Sequence, residues 1–209
     1  MSTLQVADGI HRVDGTRVGN AYVVEVDHGL VVVDSGIQGN ATRVLRTVAQ
    51  LGRRPEEVRV LVLTHWHPDH VGSAAAIKLR TGAEVAIHEL DSPVAASWDL
   101  PAKGRRAMRL IIRLLGVRPV TADRLLREGD EVDGLRVLHV PGHTAGSIAL
   151  VRDGVILTGD ALLGDRHGHV LPPDPSLALD PDAAAVSADR IRGLSPHLVL
   201  PGHGSPAHP

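Results

Sequence analysis

An α/β fold in a single domain is what this sequence predicts, on three observations. Short runs of Val, Leu and Ile, each bounded by Gly, Asp or Pro, recur along the chain as strand signals. Amphipathic stretches with capping residues lie between them. No Ser/Gly-rich linker or low-complexity tract interrupts the alternation, so all 209 residues are expected in one domain.

Tyr22–Val26 and Leu30–Val33 are the first clear strands, and Asp27-His28-Gly29 between them predicts a hairpin. A helix over Ala41–Leu51 follows, with Asn40 as its expected N-cap and Gly52 as its stop. Val58–Leu63 reads as a buried strand, a helix over Val71–Arg80 ends before Gly82, and Val85–Ile87 is the next strand. Lys103–Leu115 is a long amphipathic helix. Leu135–Val140, Ile148–Val151 and Val155–Leu157 are strands, the last two joined by an Asp153-Gly154 turn. Asp180 ahead of Pro181 opens a helix over Pro181–Arg192, and Leu198–Leu200 is the last strand. Val140-Pro141-Gly142-His143 echoes Leu200-Pro201-Gly202-His203, which predicts two halves with related corners.

Composition removes several function classes. The chain is 43% hydrophobic and 22% charged with a formal net charge of -2, so there is no global electrostatic case for a nucleic-acid or membrane partner. Phe is absent and only Trp66, Trp98 and Tyr22 are aromatic, which argues against a stacking platform for single strands. Cysteine is absent, excluding disulfides, thiolate zinc sites and a cysteine nucleophile. The N-terminus carries no basic segment followed by an apolar stretch, and no run approaches the ~20 apolar residues of a membrane span. A cytoplasmic protein is expected.

The chemistry gathers where strands stop. Val58–Leu63 runs into Thr64-His65-Trp66-His67-Pro68-Asp69-His70, which sets four metal-capable side chains within six positions. Burying such groups costs several kcal/mol each unless something coordinates them. Other apolar strands end at Asp34, His143, Asp160 and His203, and ligand sites outside the carboxyl ends of strands are a general feature of α/β folds. Seven ligands exceed one four-coordinate ion. Two ions accommodate them if Asp160 bridges: His65, His67 and His143 on one side, Asp69, His70 and His203 on the other. The mixed His/carboxylate set favours zinc, with iron or manganese as alternatives, over calcium or magnesium.

At these residues the sequence resembles the metallo-β-lactamase superfamily. The H-x-H-x-D-H signature stands at His65–His70, and the later His, bridging Asp and final His stand at His143, Asp160 and His203. Asp34 matches the strand-end Asp that the family uses to support the metal-binding loop. The resemblance runs from about Gly19 to His203. It implies a four-layer αββα sandwich with the metal site at one edge of the two sheets. Cysteine-containing lactamases place a Cys where Asp160 stands, which speaks against antibiotic hydrolysis, and flavodiiron oxygen reductases carry Glu at the position of His67. Acylhomoserine lactonases place a Tyr between the bridging Asp and the last His, and none occurs here. The chain ends six residues after His203, so the glutathione-holding helical region of glyoxalase II enzymes is not expected.

A dinuclear hydrolase of thioesters, esters or lactones follows, with water activated between two metals. Asp69 and Asp160 are its expected catalytic carboxylates, Asp69 orienting the water. The alternatives are a mononuclear iron oxygenase of the persulfide dioxygenase type and a phosphodiesterase of the same fold. Between Pro93 and Arg118 stand six basic residues and one acid. Arg105, Arg109 and Arg113 form one helical stripe, and Ala107, Ile111 and Leu115 another. That helix is expected to cap the site and attract a small anionic substrate. His167 and His169, after Asp160, are further candidates for substrate contact. A homodimer is the assembly to test.

Overall fold

The computed structural model describes residues 4–209, which divide into two compact units: the first takes the chain to Ile87 and again Ser92–Leu125, the second His88–Asp91 and Leu126–Pro209. The first holds strands β1 (Leu4–Ala7), β2 (Ile10–Arg12), β3 (Tyr22–Val26), β4 (Gly29–Val33), β5 (Val58–Leu63) and β6 (Glu84–His88). Together with β7 (Arg124–Leu126) they form a sheet in sequence order. Helices α1 (Ala41–Gln50), α2 (Pro68–Val71), α3 (Ala74–Thr81), α4 (Ser92–Ser97) and α5 (Arg105–Leu115) accompany it. Its core is mostly aliphatic, with Val23, Val32, Leu61, Leu63, Val85 and Ile87 all but sealed from solvent and Trp66 buried among them. β4, β5 and β6 run parallel, so their carboxyl ends, with Asp34 and Thr64-His65, share one edge.

The second unit carries β8 (Glu131–Val132), β9 (Leu135–His139), β10 (Ile148–Arg152), β11 (Val155–Gly159), a small ribbon of β12 (Leu163–Gly164) and β13 (Val170–Leu171), helix α6 (Pro181–Gly193) and β14 (Leu198–Pro201). The main sheet has the order β14-β11-β10-β9-β8. β9 and β11 are each antiparallel to β10, and β14 is parallel to β11. Three strands therefore point the same way, and His143, Asp160 and His203 follow their carboxyl ends. The echoed Val140–His143 and Leu200–His203 corners both belong to this unit. The echo marks two like-directed strands of one sheet, not two halves of the chain.

Local chemistry explains most elements and several corrections. Asp153 and Gly154 both have positive φ (49° and 75°) between paired Arg152 and Val155, the two-residue turn whose twist suits a hairpin. Asp133-Gly134 makes the same turn between β8 and β9, a signal the sequence carried and the strand reading passed over. Asp180 caps α6 by accepting from the Ala183 amide at 3.0 Å. Asn40 does not cap α1: it has helical angles, its side chain reaches toward the Arg17 carbonyl (3.5 Å), and Ser73 Oγ accepts from Ala41 N instead (3.2 Å).

The helix expected over Val71–Arg80 breaks at Gly72-Ser73 into α2 and α3. A Cβ at Gly72 would run into backbone of Pro68, Ile37 and Gln38, and Ser73 bonds Ile37 O (2.7 Å) and Ser35 Oγ (3.1 Å). Tertiary contact with the loop after β4 overrides the helical pattern.

α5 needs one correction that matters for function. Ile112 is buried and Met108 and Leu115 pack with it, while Leu110, Ile111 and Leu114 stay 57%, 42% and 75% exposed. The cap decides this. Gly116 takes φ 63° and the amides of Gly116 and Val117 bond the carbonyls of Arg113 and Ile112. This closing turn brings an apolar residue back toward the helix, and Ile112 and Val117 are both buried. The Ala107–Ile111 stripe is therefore turned outward beside the exposed Arg106, Arg109 and Arg113, while Arg105 is half-buried.

Candidate metal centre

In the first unit the expected ligands sit at a strand-to-helix junction. His65 (1% exposed) lies in the bend just past β5, His67 precedes α2 in extended backbone, and Pro68 occupies the first helical position, where its missing N–H costs nothing. Asp69 and His70 are thus already helical, not ahead of the helix as the pattern implied. The His65 ring lies 4.8 Å from that of His67 and 4.0 Å from that of His70, centroid to centroid. His70 Nε2 is 3.9 Å from Asp69 Oδ2.

One carboxylate organises this cluster. Asp34, 2% exposed, has φ 58°, a left-handed conformation that a short polar side chain tolerates better than most. Its Oδ1 accepts the Thr64 amide at 2.8 Å, and its Oδ2 accepts both the Thr64 hydroxyl and His70 Nδ1–H, each at 2.8 Å. Thr64 Oγ1, having donated its proton, accepts from His65 Nδ1 at 3.0 Å. Both imidazoles are therefore protonated at Nδ1, and Nε2 is the nitrogen each would offer a metal. Asp34 was expected to support the loop of His65. It holds Thr64, the residue beside His65, by two hydrogen bonds, and among the expected ligands it bonds His70 directly.

In the second unit His143 (5% exposed) and His203 both direct Nε2 at one atom, Asp160 Oδ2, at 3.3 and 3.4 Å. Charge-assisted N–H···O bonds are shorter, about 2.7–2.9 Å. Ligand atoms about 2.0–2.1 Å from a tetrahedral ion, however, stand about 3.3 Å from one another. The spacing and the donor types, two imidazoles and a carboxylate, fit residues that could hold a metal ion. The Gly164 amide holds the His203 carbonyl at 3.0 Å. The loop of His143 is held by Asp91, a residue the sequence reading did not single out.

The candidates for substrate contact are bound into local structure. Asp165 accepts the amides of His167 (2.7 Å) and His169 (2.9 Å) and pairs with His169 Nδ1 (2.9 Å). These bonds, those of His169 first, hold the Asp165 carboxyl down at about 2. His167 accepts from Arg166 Nε at 3.0 Å. No helix among the described residues is long and apolar enough to cross a membrane.

Comparison with known proteins agrees with this chemistry. A probable metallo-hydrolase of Bacillus subtilis, YflN, is 27% identical, over 97% of this chain and 86% of its own length. The hydroxyacylglutathione hydrolase GloC of Haemophilus influenzae is 32% identical over 83% of this chain and 79% of that one. Among solved structures, the metallo-beta-lactamase family protein TTHA1429 of Thermus thermophilus superposes with TM-score 0.76 at 24% identity, covering 98% of this chain and 76% of that one. TTHA1623, crystallised in a di-iron-bound form, gives TM-score 0.69 at 31% identity over 91% and 89%. The sequence profile of the metallo-beta-lactamase superfamily matches residues 14–203, from before β3 to the last expected ligand. On that match, this chain belongs to the metallo-beta-lactamase superfamily and is a metal-dependent hydrolase.

Proposed function

We propose that the two ligand sets together hold two metal ions, zinc in the first instance with iron or manganese as alternatives, and that the enzyme hydrolyses a thioester, ester or lactone carbonyl. The observation that carries this is Asp160 Oδ2, faced by His143 and His203 Nε2 at the spacing of ligands rather than of hydrogen bonds. The residues that would hold the ions are His65, His67 and His143 for one and Asp69, His70 and His203 for the other, with Asp160 available to both. The di-iron form of one relative and the name of another, a hydroxyacylglutathione hydrolase, support the same reading.

When bound, such a pair supplies a water with a pKa lowered to about 7 and an electrophile for the carbonyl oxygen. The chain's residues do the rest. Asp34 fixes the tautomers of His65 and His70, so that neither imidazole must lose a proton from the coordinating nitrogen. Asp69, partly open to solvent, accepts a hydrogen bond from the attacking water and orients it. Asp160 would supply a carboxylate oxygen to the bound metal. The exposed arginines of α5 attract a small anionic substrate by long-range charge.

Elemental analysis of purified protein, paired with a screen of thioesters, esters and lactones, tests the proposal. Two ions per chain and hydrolysis abolished by chelation and restored by zinc or manganese are expected. A fully loaded protein with a single ion would overturn the dinuclear reading.

A further inference from the structure

Asp91 is 1% exposed at the end of the turn that leaves β6. Both of its carboxylate oxygens are directed at one loop. Oδ2 accepts the Thr144 hydroxyl at 2.6 Å, and Oδ1 accepts the Gly146 amide at 2.7 Å. Thr144, itself fully buried, gives its amide to Ser147 Oγ at 3.0 Å, and the two hydroxyls lie 2.8 Å apart. A Cβ at residue 146 would stand 2.7 Å from both Asp91 N and Oδ1, so only glycine lets the carboxylate come this close. On the other side His139 Nε2 donates to the Ala145 carbonyl at 2.9 Å. The loop that begins with His143 is thereby gripped at each of the next residues.

A buried carboxylate is a costly way to brace a loop when apolar packing would serve. The first unit offers a parallel. There Asp34 takes the amide and hydroxyl of Thr64, the residue beside His65; here Asp91 takes the hydroxyl of Thr144, the residue beside His143. We propose that Asp91 is the positioning residue for His143, fixing the loop so that its imidazole meets Asp160 at coordinating distance. This rests on the reading of His143 as a metal ligand.

The test is zinc titration of metal-free protein against a chromophoric chelator, with the absorption spectrum of the cobalt-substituted form recorded alongside. The proteins compared are wild type, Asp91→Asn, Thr144→Val, Thr144→Ser and His143→Ala. Asp91→Asn and Thr144→Val should weaken one of the two bound ions by about 10–100-fold, the usual effect of removing support behind a ligand, and shift the cobalt spectrum. Thr144→Ser, which keeps the hydroxyl, should restore both. Thr144→Val keeps the shape of the side chain and guards against a merely misfolded variant. Wild-type affinity and spectrum in Asp91→Asn and Thr144→Val, whatever their melting temperatures, would overturn the proposal and leave Asp91 a structural brace. A wild type that takes up no zinc, or a His143→Ala that binds as wild type does, marks failure of the underlying reading instead.

Discussion

The two clusters of candidate ligands are assembled by opposite routes. In the first unit, four side chains lie within six residues, and a single junction between β5 and α2 presents them all. Local geometry places these side chains, and one long-range carboxylate, Asp34, sets the tautomers of His65 and His70. In the second unit the three ligands are spread from His143 to His203, and only the common direction of β9, β11 and β14 gathers them. There the strand pairing places the candidates, and Asp91 and Gly164 hold the loops that carry His143 and His203. A compact cluster tolerates loss of one contact poorly in its tautomers. A dispersed one is vulnerable at the residue its members share.

Asp160 is that residue, and its removal should have the largest effect. Asp160→Ala is expected to lose both ions or nearly so, with metal content and hydrolysis falling together; retention of one tightly held ion would show that the carboxylate serves a single metal. Asp34→Ala comes next. Its ligands remain in place but lose their fixed tautomers, and a fall of about 10–100-fold in metal affinity or activity is expected. Isothermal titration of the metal-free variant checks this, and a variant silent in both measurements would undo the tautomer argument. The smallest effect belongs to α5. Replacing Arg105, Arg109 and Arg113 by Gln should raise KM for an anionic substrate up to about tenfold and flatten the salt dependence of kcat/KM, because steering acts on charge. A neutral ester should be hydrolysed unchanged. Equal losses for both substrates would make the stripe an ordinary solvated face.

Much of this was legible because it is local. Strand ends at Asp34, His65, His143, Asp160 and His203 are visible as breaks in apolar runs, and donor types can be counted from a chain with no cysteine. The Asp153-Gly154 turn and the Asp180 cap needed no partner beyond their neighbours. Asn40 failed as a cap because its competitor, Ser73, lies far away in sequence. The apolar seam of α5 was misjudged because two seams of similar content alternate around one helix, and the closing turn that brings Val117 back chose Ile112.

By itself the sequence determined which side chains are capable of binding a metal and that they stand at strand ends, since both follow from residue type and from where apolar periodicity stops. Only the tertiary structure decided which carboxylate touches which imidazole or loop: Asp34 on His70 across 36 positions, Asp91 on Thr144 across 53. Those pairings depend on strand order, register and close backbone approach. They are set by the burial of the whole sheet, and no window of neighbouring residues encodes them.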